Sequence, residues 1–366
     1  MTRLLVVDHE PPQVERDGGA ARMVAVLRLL RDDGHDVTFA SLHPWPSKIA
    51  EQLCGLGIGI ATPGATDWLR AAGDGIDVVI ASRLPVAEAM LPVARGSCPR
   101  ARFIYDATHV EHLAKYRLAK LTGNRPLLAA ALRDRSAERD LVAAADAVLA
   151  VSEEDADELR ALHGGAHVHV VTAVHAVGDE TDLAVAPRRG IVFLGFLAVP
   201  ENELAVRRLI EGVWPAIETA MGPTPLTVIG AQPPDWLLSA AAQQPRLRVT
   251  GQLDDVDAAL REAAVMVVPL SGGAGVKTKV LHAFARHLPV VATSDGLRGV
   301  PAVDGFHVLR AETDTELAAA TVSILRCPGL GRELALRAAD LLRERFSDDV
   351  SRAGLRAALR GCDAHA

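Results

Sequence analysis

The stretch Pro269-Leu-Ser-Gly-Gly-Ala-Gly-Val-Lys-Thr-Lys279 places three glycines and two lysines between an apolar run at 265–268 and a helical pattern at 280–286. Glycine lets a backbone approach its ligand closely. The N–H groups of a chain entering a helix carry partial positive charge, and two ammonium groups add formal charge. A diphosphate is the natural guest of such a segment. Only five of the chain's 39 basic residues are lysines, so two of them within three positions stand out. The spacing is not that of a P-loop, which needs G-x-x-x-x-G-K-[ST]. The alternative reading is a flexible loop before a helix, with both lysines solvated.

The surrounding pattern supplies elements to hold this segment. Short apolar runs at 4–7, 37–40, 78–81, 103–105, 148–151 and 168–171 alternate with helix-length segments, as in βαβ units whose strands are buried on both faces. Residues 20–32 put Met23, Leu27 and Leu30 on one helical face and stop at Gly34, while Ser152 before Glu153, Glu154 and Asp155 reads as an N-cap with an acidic first turn. Residues 172–189 lapse into short side chains, charge and Pro187, as a connection between domains would. A second series of strands follows at 191–194, 226–229, 247–250, 265–268 and 290–292. Both halves are expected to be doubly wound α/β domains, with ligands outside the carboxyl ends of their strands.

At 366 residues the chain is long enough for two cores. A net charge of -7 argues against a dedicated nucleic-acid binder. Cys54, Cys98, Cys327 and Cys362 form no C-x-x-C pair, which fits a reducing, cytoplasmic setting. No apolar run approaches the ~20 residues of a membrane span, so contact with a membrane is expected to be peripheral at most.

The glycine loop and following helix resemble the pattern P-L-x-x-G-A-G-x-K-x-K-x-x-E-A-x-A-x-G-x-P-V-V of glycosyltransferase family 4, here ending Val280-Leu-His-Ala-Phe-Ala-Arg-His-Leu-Pro-Val-Val291. Thr293-Ser-Asp-Gly and Val303-Asp-Gly-Phe-His-Val-Leu look like that family's next strand end and hairpin. Val192-Phe-Leu-Gly-Phe, with Pro200, Glu201 and Asn202, resembles the strand opening its donor domain. Residues 4–8 with Asp17, Gly18 and Gly19 look like its amino-terminal strand and glycine loop.

The resemblance covers most of the chain and implies an α/β protein of the GT-B fold, two Rossmann-like domains facing across a cleft. They would comprise an acceptor-binding domain at 1–172, a linker at 173–189, a donor-binding domain at 190–345, and a helix at 346–366 packing back toward the first domain. It implies retaining transfer of a sugar from a nucleotide-sugar donor to a small-molecule or glycan acceptor, with no cofactor beyond the donor and no metal, since backbone dipoles and fixed cations can neutralise the departing diphosphate. The acidic groups Asp155-Ala-Asp157 and Asp254-Asp-Val-Asp257 are accordingly read as solvated helix caps. A catalytically degenerate nucleotide-sugar binder and a sugar-nucleotide epimerase of the same fold are the competing readings. High alanine and arginine with little lysine suggests a high-GC bacterial genome.

By the same resemblance the donor-contacting residues are Gly18, Gly19, Gly195, Gly272, Gly273, Ala274, Gly275, Val276, Lys277, Lys279 and His282. The sequence departs from the pattern at the family's two glutamates, where it has Ala274 and His282, and at the turn where Arg286 and His287 replace a small residue and glycine. A neutral imidazole at 282 retains the means to hydrogen-bond a ribose hydroxyl. Tyr105-Asp-Ala-Thr-His-Val-Glu-His112 resembles the family's D-x-H-N-x-E segment, which makes Asp106, His109 and Glu111 the candidate catalytic residues beside the acceptor or the transferred sugar; the alternative is that they cap the next helix. Arg22 is expected to be an exposed helix arginine, with a ligand contact as the alternative. Lys115, Arg117, Lys120, Arg125, Arg133, Arg135 and Arg139, interleaved with Asp134, Glu138 and Asp140, are expected to form solvated helix faces, with attraction of an anionic acceptor or a membrane surface as the alternative.

Overall fold

The computed structural model describes residues 1–12, 18–43, 47–62, 64–175, 177–178 and 188–360. Asp17, Cys362 and most of the expected 173–189 linker, Pro187 included, lie outside them. The chain divides into two compact units, one of residues 1–174 and 348–366 and the other of residues 175–347.

The first unit is built on a parallel seven-stranded sheet in the order β3-β2-β1-β4-β5-β6-β7. Its strands are β1 (Arg3–Asp8), β2 (Asp36–Ser41), β3 (Gly59–Ile60), β4 (Val78–Ser82), β5 (Arg102–Ala107), β6 (Ala147–Ala150) and β7 (Val168–Val170). The second carries a parallel six-stranded sheet in the order β10-β9-β8-β11-β12-β13. Its strands are β8 (Ile191–Leu194), β9 (Leu226–Ile229), β10 (Leu247–Val249), β11 (Val265–Val268), β12 (Val290–Ala292) and β13 (Leu309–Arg310). Every apolar run singled out above is a strand. The two strands that were not foreseen, β3 and β13, are two residues long and too short to show a pattern. In both sheets the order reverses beside the first strand of the unit, the switch point where doubly wound domains hold ligands outside their strand ends.

Two apolar layers fill the first unit. On one face of its sheet Leu5, Val79, Phe103 and Tyr105 meet Leu84, Met90 and Leu141; on the other Leu4, Val6, Ile104 and Leu149 meet Met23, Leu27 and Leu30. The second layer is completed from far along the chain by Leu355, Ala358 and Leu359 of the helix Asp348–Leu359. That helix is also tied down by polar groups: Ser351 Oγ donates to the Thr172 carbonyl at 3.2 Å, Arg352 and Arg356 bind Asp33, and Arg28 binds Asp348. Gly354 permits the approach, because a Cβ there would lie 2.0 Å from the Val170 carbonyl oxygen. Among the described residues no helix is long and apolar enough to cross a membrane.

Candidate functional site

In the second unit, β11 delivers the chain to Pro269, and the backbone turns through Gly272 (φ 131°), Gly273 (φ 98°) and Gly275 (φ 66°) before the helix Thr278–Ala285. These angles lie where side chains are strongly disfavoured, which is the local reason for three glycines. The loop is fixed from outside. Thr293 Oγ1, just past β12, donates to the Leu270 carbonyl at 2.6 Å, and Arg208, held on Asp314 at 2.6 Å, reaches Ser271 Oγ at 3.3 Å. Lys277 N donates to the Arg298 carbonyl, and Gly299 lets Val276 pass so closely that a Cβ would sit 2.9 Å from its Cα. Neither Arg208 nor Thr293 was legible as a loop support, because neither contact is local in sequence.

Within this frame the amides of Gly272, Gly273, Ala274, Gly275 and Val276 donate to no protein acceptor among the described residues. Buried backbone donors are nearly always paired, and Gly272, Gly273 and Gly275 are buried, so five successive unpartnered amides mark a place for an acceptor from outside the chain. The helix start contributes less than the sequence suggests. Lys277 N and Thr278 N are already engaged, with the Arg298 and Val276 carbonyls. The donors therefore lie in the glycine loop itself.

The two lysines flank it. Lys277 is buried and its Nζ donates to the Ala274 carbonyl at 3.0 Å; a Cβ on Gly273 would fall 2.7 Å from that Nζ and 3.0 Å from Glu201 Oε1. Lys279 Nζ donates to Asn202 Oδ1 at 2.5 Å and lies 4.5 Å from the centre of the Phe193 ring. Asn202 is oriented in turn by its Nδ2 donating to the Phe196 carbonyl at 2.9 Å. Gly195, at the end of β8, makes room for this ammonium, since a Cβ there would lie 2.8 Å from it. Burial, reinforced by the charge of Lys277 and opposed by Glu201, pushes the Lys279 ammonium down to about 7. The residues singled out at 192–202 and at 272–279 thus meet at the carboxyl ends of the neighbouring strands β8 and β11.

His282 lies three residues beyond Lys279, one turn on in the same helix, half-buried, its ring edge-on to His175 with centroids 4.8 Å apart. Burial lowers its pKa, Asp257 opposing and Arg286 reinforcing, so the ring is a neutral donor and acceptor near pH 7. The remodelled turn after this helix has a structural solution. His287 is buried and takes φ 48°, the left-handed conformation a glycine would adopt, while Arg188 donates at 2.8 Å to each of the Arg286 and His287 carbonyls. Arg286 pairs with Asp257, and Asp255 is a helix N-cap accepting from Ala258 N at 2.9 Å. Further on, Asp304 and Val308 form a bridge around Gly305, a tight turn where a hairpin was expected.

In the first unit, Asp106, the penultimate residue of β5, is a buried carboxylate. Arg22 donates to both its oxygens, at 3.0 and 2.8 Å, and Ser82 Oγ donates to Oδ2 at 2.8 Å. Arg22 is 4% exposed and its Nε donates to the Val171 carbonyl, contrary to the expectation of an exposed helix arginine. Its position explains this, since it shares a helical face with Val26, Leu29 and Leu30, all buried. Beside it Arg83 Nε donates to Asp8 Oδ1 at 2.8 Å, and burial pushes the Asp8 carboxyl up, Arg83 opposing.

His109 and Glu111 form a separate, more open pair, Nε2 to Oε2 at 2.8 Å, with Lys115 Nζ 3.0 Å from the other Glu111 oxygen. The His109 hydrogen bond, with help from Lys115 and against burial, holds the Glu111 carboxyl down to about 2. The first turn of the helix Glu111–Thr122 is clamped by a residue read as solvated. Glu138 is fully buried and accepts from Tyr105 Oη (3.0 Å), Glu111 N (3.1 Å) and His112 N (3.3 Å), with His112 Nδ1 at 2.6 Å. Asp134 also departs from a plain solvated face, binding Lys115 at 2.5 Å. Asp155 is likewise buried beneath Ser152, whose Oγ accepts from Asp155 N, where a solvated acid was expected. Gly18 and Gly19 begin the helix Gly18–Asp32.

Residues 188–327 match the family model described as glycosyl transferases group 1. No curated protein matches the sequence. Among solved structures, the chain is similar to HepE of Anabaena in complex with UDP (13% identity, TM-score 0.72, covering 98% of this chain and 99% of that one). It is also similar to sucrose-phosphate synthase from Thermosynechococcus elongatus (15%, 0.75, 97% and 98%). A third likeness is to a TarM variant of S. aureus in complex with fondaparinux, alpha-GlcNAc-glycerol and UDP (9%, 0.75, 99% and 100%). Two parallel Rossmann-like sheets with this likeness make the fold GT-B. With the group 1 match over residues 188–327, the chain falls in the class of the glycosyltransferases.

Proposed function

We propose that the chain is a metal-independent, retaining glycosyltransferase that moves a sugar from a nucleoside-diphosphate sugar to an acceptor hydroxyl. One observation carries this reading: five successive unpartnered amides at 272–276 lie beside two lysine ammonium groups, within a group 1 glycosyltransferase domain. The amides and the cations receive the diphosphate, whose departing oxygen gains one negative charge as its bond to the sugar C1 breaks. Lys277 and Lys279 supply the fixed charge that a divalent ion would otherwise provide. The acceptor oxygen forms the new bond to C1 from the face the diphosphate leaves, and its proton passes to the departing phosphate oxygen.

His282 takes the ribose hydroxyls as a neutral imidazole. The first unit binds the acceptor, a natural product, envelope glycan or lipid-linked sugar, with His109 and Glu111 at the hydroxyl and Asp106 acting through Arg22 as a positioning residue. A bacterial cytoplasm is the setting that suits this chemistry and the free thiols of Cys54, Cys98 and Cys327.

Family 4 is the finer assignment within this proposal. Solved neighbours were crystallised with UDP, UDP-glucose, and UDP with glucose, so uridine donors head the panel to be titrated. The expected result is saturable binding of one donor, release of nucleoside diphosphate only with acceptor, unchanged turnover in EDTA, and a product of unchanged anomeric configuration by NMR. An inverted product or an EDTA-sensitive rate overturns those parts of the proposal, and failure of every nucleotide-sugar to bind overturns the whole.

A further inference from the structure

At the opposite end of the first unit's sheet from Asp106 and His109, a cavity of about 540 Å³ opens between the amino ends of β5, β6 and β7 and the carboxyl-terminal helix. It is lined by Arg102, Asp146, His167, His169 and Arg360, with Ala145 and Ala357. The charge is unbalanced in a specific way. Asp146 is the one acid in the lining, and it is committed elsewhere: its Oδ2 accepts from Phe103 N at 2.7 Å and from Arg95 Nη2 at 3.0 Å. Arg102 is held in place by donating through Nε to the Ala358 carbonyl at 2.9 Å and through Nη2 to the Asp146 carbonyl at 3.0 Å. Among the described residues its Nη1 and the side chains of His167, His169 and Arg360 have no hydrogen-bond or ion-pair partner.

We propose that this cavity is a second binding site, for a small anion bearing a phosphate group. A fixed guanidinium, an exposed one and two imidazoles converge here, and the one carboxylate in the lining is bonded to Arg95 and to Phe103 N rather than to any of them; such groups recognise a phosphate by charge-assisted hydrogen bonds. The volume exceeds that of a phosphate group, leaving room for the body of a phosphate monoester. Arg102 and Arg360 would bind the oxyanion, with His169 closing on it from β7. Neighbouring charge supports this: burial lowers the His169 pKa, and Arg102, His167, Arg360 and Arg160 lower it further. A bound anion reverses that effect. His169 therefore takes up a proton on binding, and affinity rises as pH falls.

The test uses the full-length protein with pyrophosphate and with sulfate, whose charge is constant between pH 6 and 8, at matched ionic strength and with glucose as the neutral control. The ¹H–¹³C resonances of His167 and His169, assigned with His167→Asn and His169→Asn, read this cavity alone, whereas calorimetry would also sense the glycine loop. The expected result is saturable shifts of both imidazoles, tighter sulfate binding at pH 6 than at pH 8, and an affinity about tenfold weaker in Arg360→Ala, the loss of one charge-assisted hydrogen bond. Arg360 is exposed and its side chain makes no hydrogen bond or ion pair among the described residues, so this variant should fold as the parent does. Flotation with vesicles containing phosphatidic acid separates the sources: Arg360-dependent flotation assigns the phosphate to a lipid headgroup, and binding of the soluble anions without flotation assigns it to a solute. Unmoved imidazole resonances with every anion and no Arg360-dependent flotation, or shifts unaltered by Arg360→Ala, overturn the proposal.

Discussion

Lys279 offers the sharpest quantitative test of the donor site. In the free protein its ammonium is pushed down to about 7 by burial and by Lys277, its Nζ resting on Asn202 Oδ1 and the Phe193 ring. A diphosphate bound at 272–276 adds negative charge beside it and favours the protonated form, so donor binding is coupled to proton uptake. If the pKa in the complex rises beyond 9, the apparent association constant falls by roughly tenfold from pH 6 to pH 8 and by a further tenfold to pH 9, following 1.36 kcal/mol per pH unit. The sign is fixed: a cation depressed in the free state and restored in the complex makes binding weaken as pH rises. His282 does not confuse the window, because its lowered pKa puts its own titration below the ordinary histidine value of 6.5. The assay is calorimetric titration of the nucleotide-sugar, whose diphosphate diester does not titrate in this range, from pH 6 to 9 in buffers of different ionisation enthalpy. Lys279→Met should lose both the slope and about 1.5–3 kcal/mol of affinity. A wild-type affinity flat between pH 6 and pH 8, or a Lys279→Met protein with the same slope, refutes the assignment of the ammonium to the diphosphate.

Three further outcomes follow from contacts described above. Asp106→Asn leaves Arg22 as a buried charge without its carboxylate and should cost about 3–5 kcal/mol in urea unfolding of the first unit; a loss below ~1 kcal/mol would mean the pair is not buried in solution. Glu138→Gln weakens the clamp on Tyr105, Glu111 and His112 and should destabilise by about 2–3 kcal/mol while shifting the amide resonances of Glu111 and His112, and an unchanged spectrum would refute the clamp. His282→Ala should weaken binding of a ribonucleotide donor about fivefold, one neutral hydrogen bond, yet leave a 2′,3′-dideoxy analogue unaffected. Equal losses on both analogues would move the imidazole off the ribose.

The strand series was readable because parallel strands buried on both faces leave continuous apolar runs, and the glycine loop was readable because positive φ at 272, 273 and 275 admits little else. What escaped notice were charges on the inner faces of helices. Glu138 falls in step with the buried Ala131, Leu141 and Val142, and Arg22 with Val26, Leu29 and Leu30. Helical phase could have placed both inside, but their partners, Tyr105 and Asp106, belong to a strand, and only folding brings those residues together. The Asn202–Lys279 contact was hidden for the same reason: its members are 77 residues apart. The Arg286-His287 turn showed the reverse, a departure from pattern that reads as a defect until Arg188 is seen capping it.

The helix Asp348–Leu359 also bears on how the protein comes into being. The layer formed by Leu4, Met23, Leu27 and Leu149 is finished only by Leu355, Ala358 and Leu359. While the chain is being translated, the first unit must therefore wait with an uncovered apolar seam until the entire second unit has left the ribosome. A gene fragment ending near residue 174 would encode a body lacking its last layer, and co-expression of residues 340–366 in trans is the natural means of rescuing its solubility.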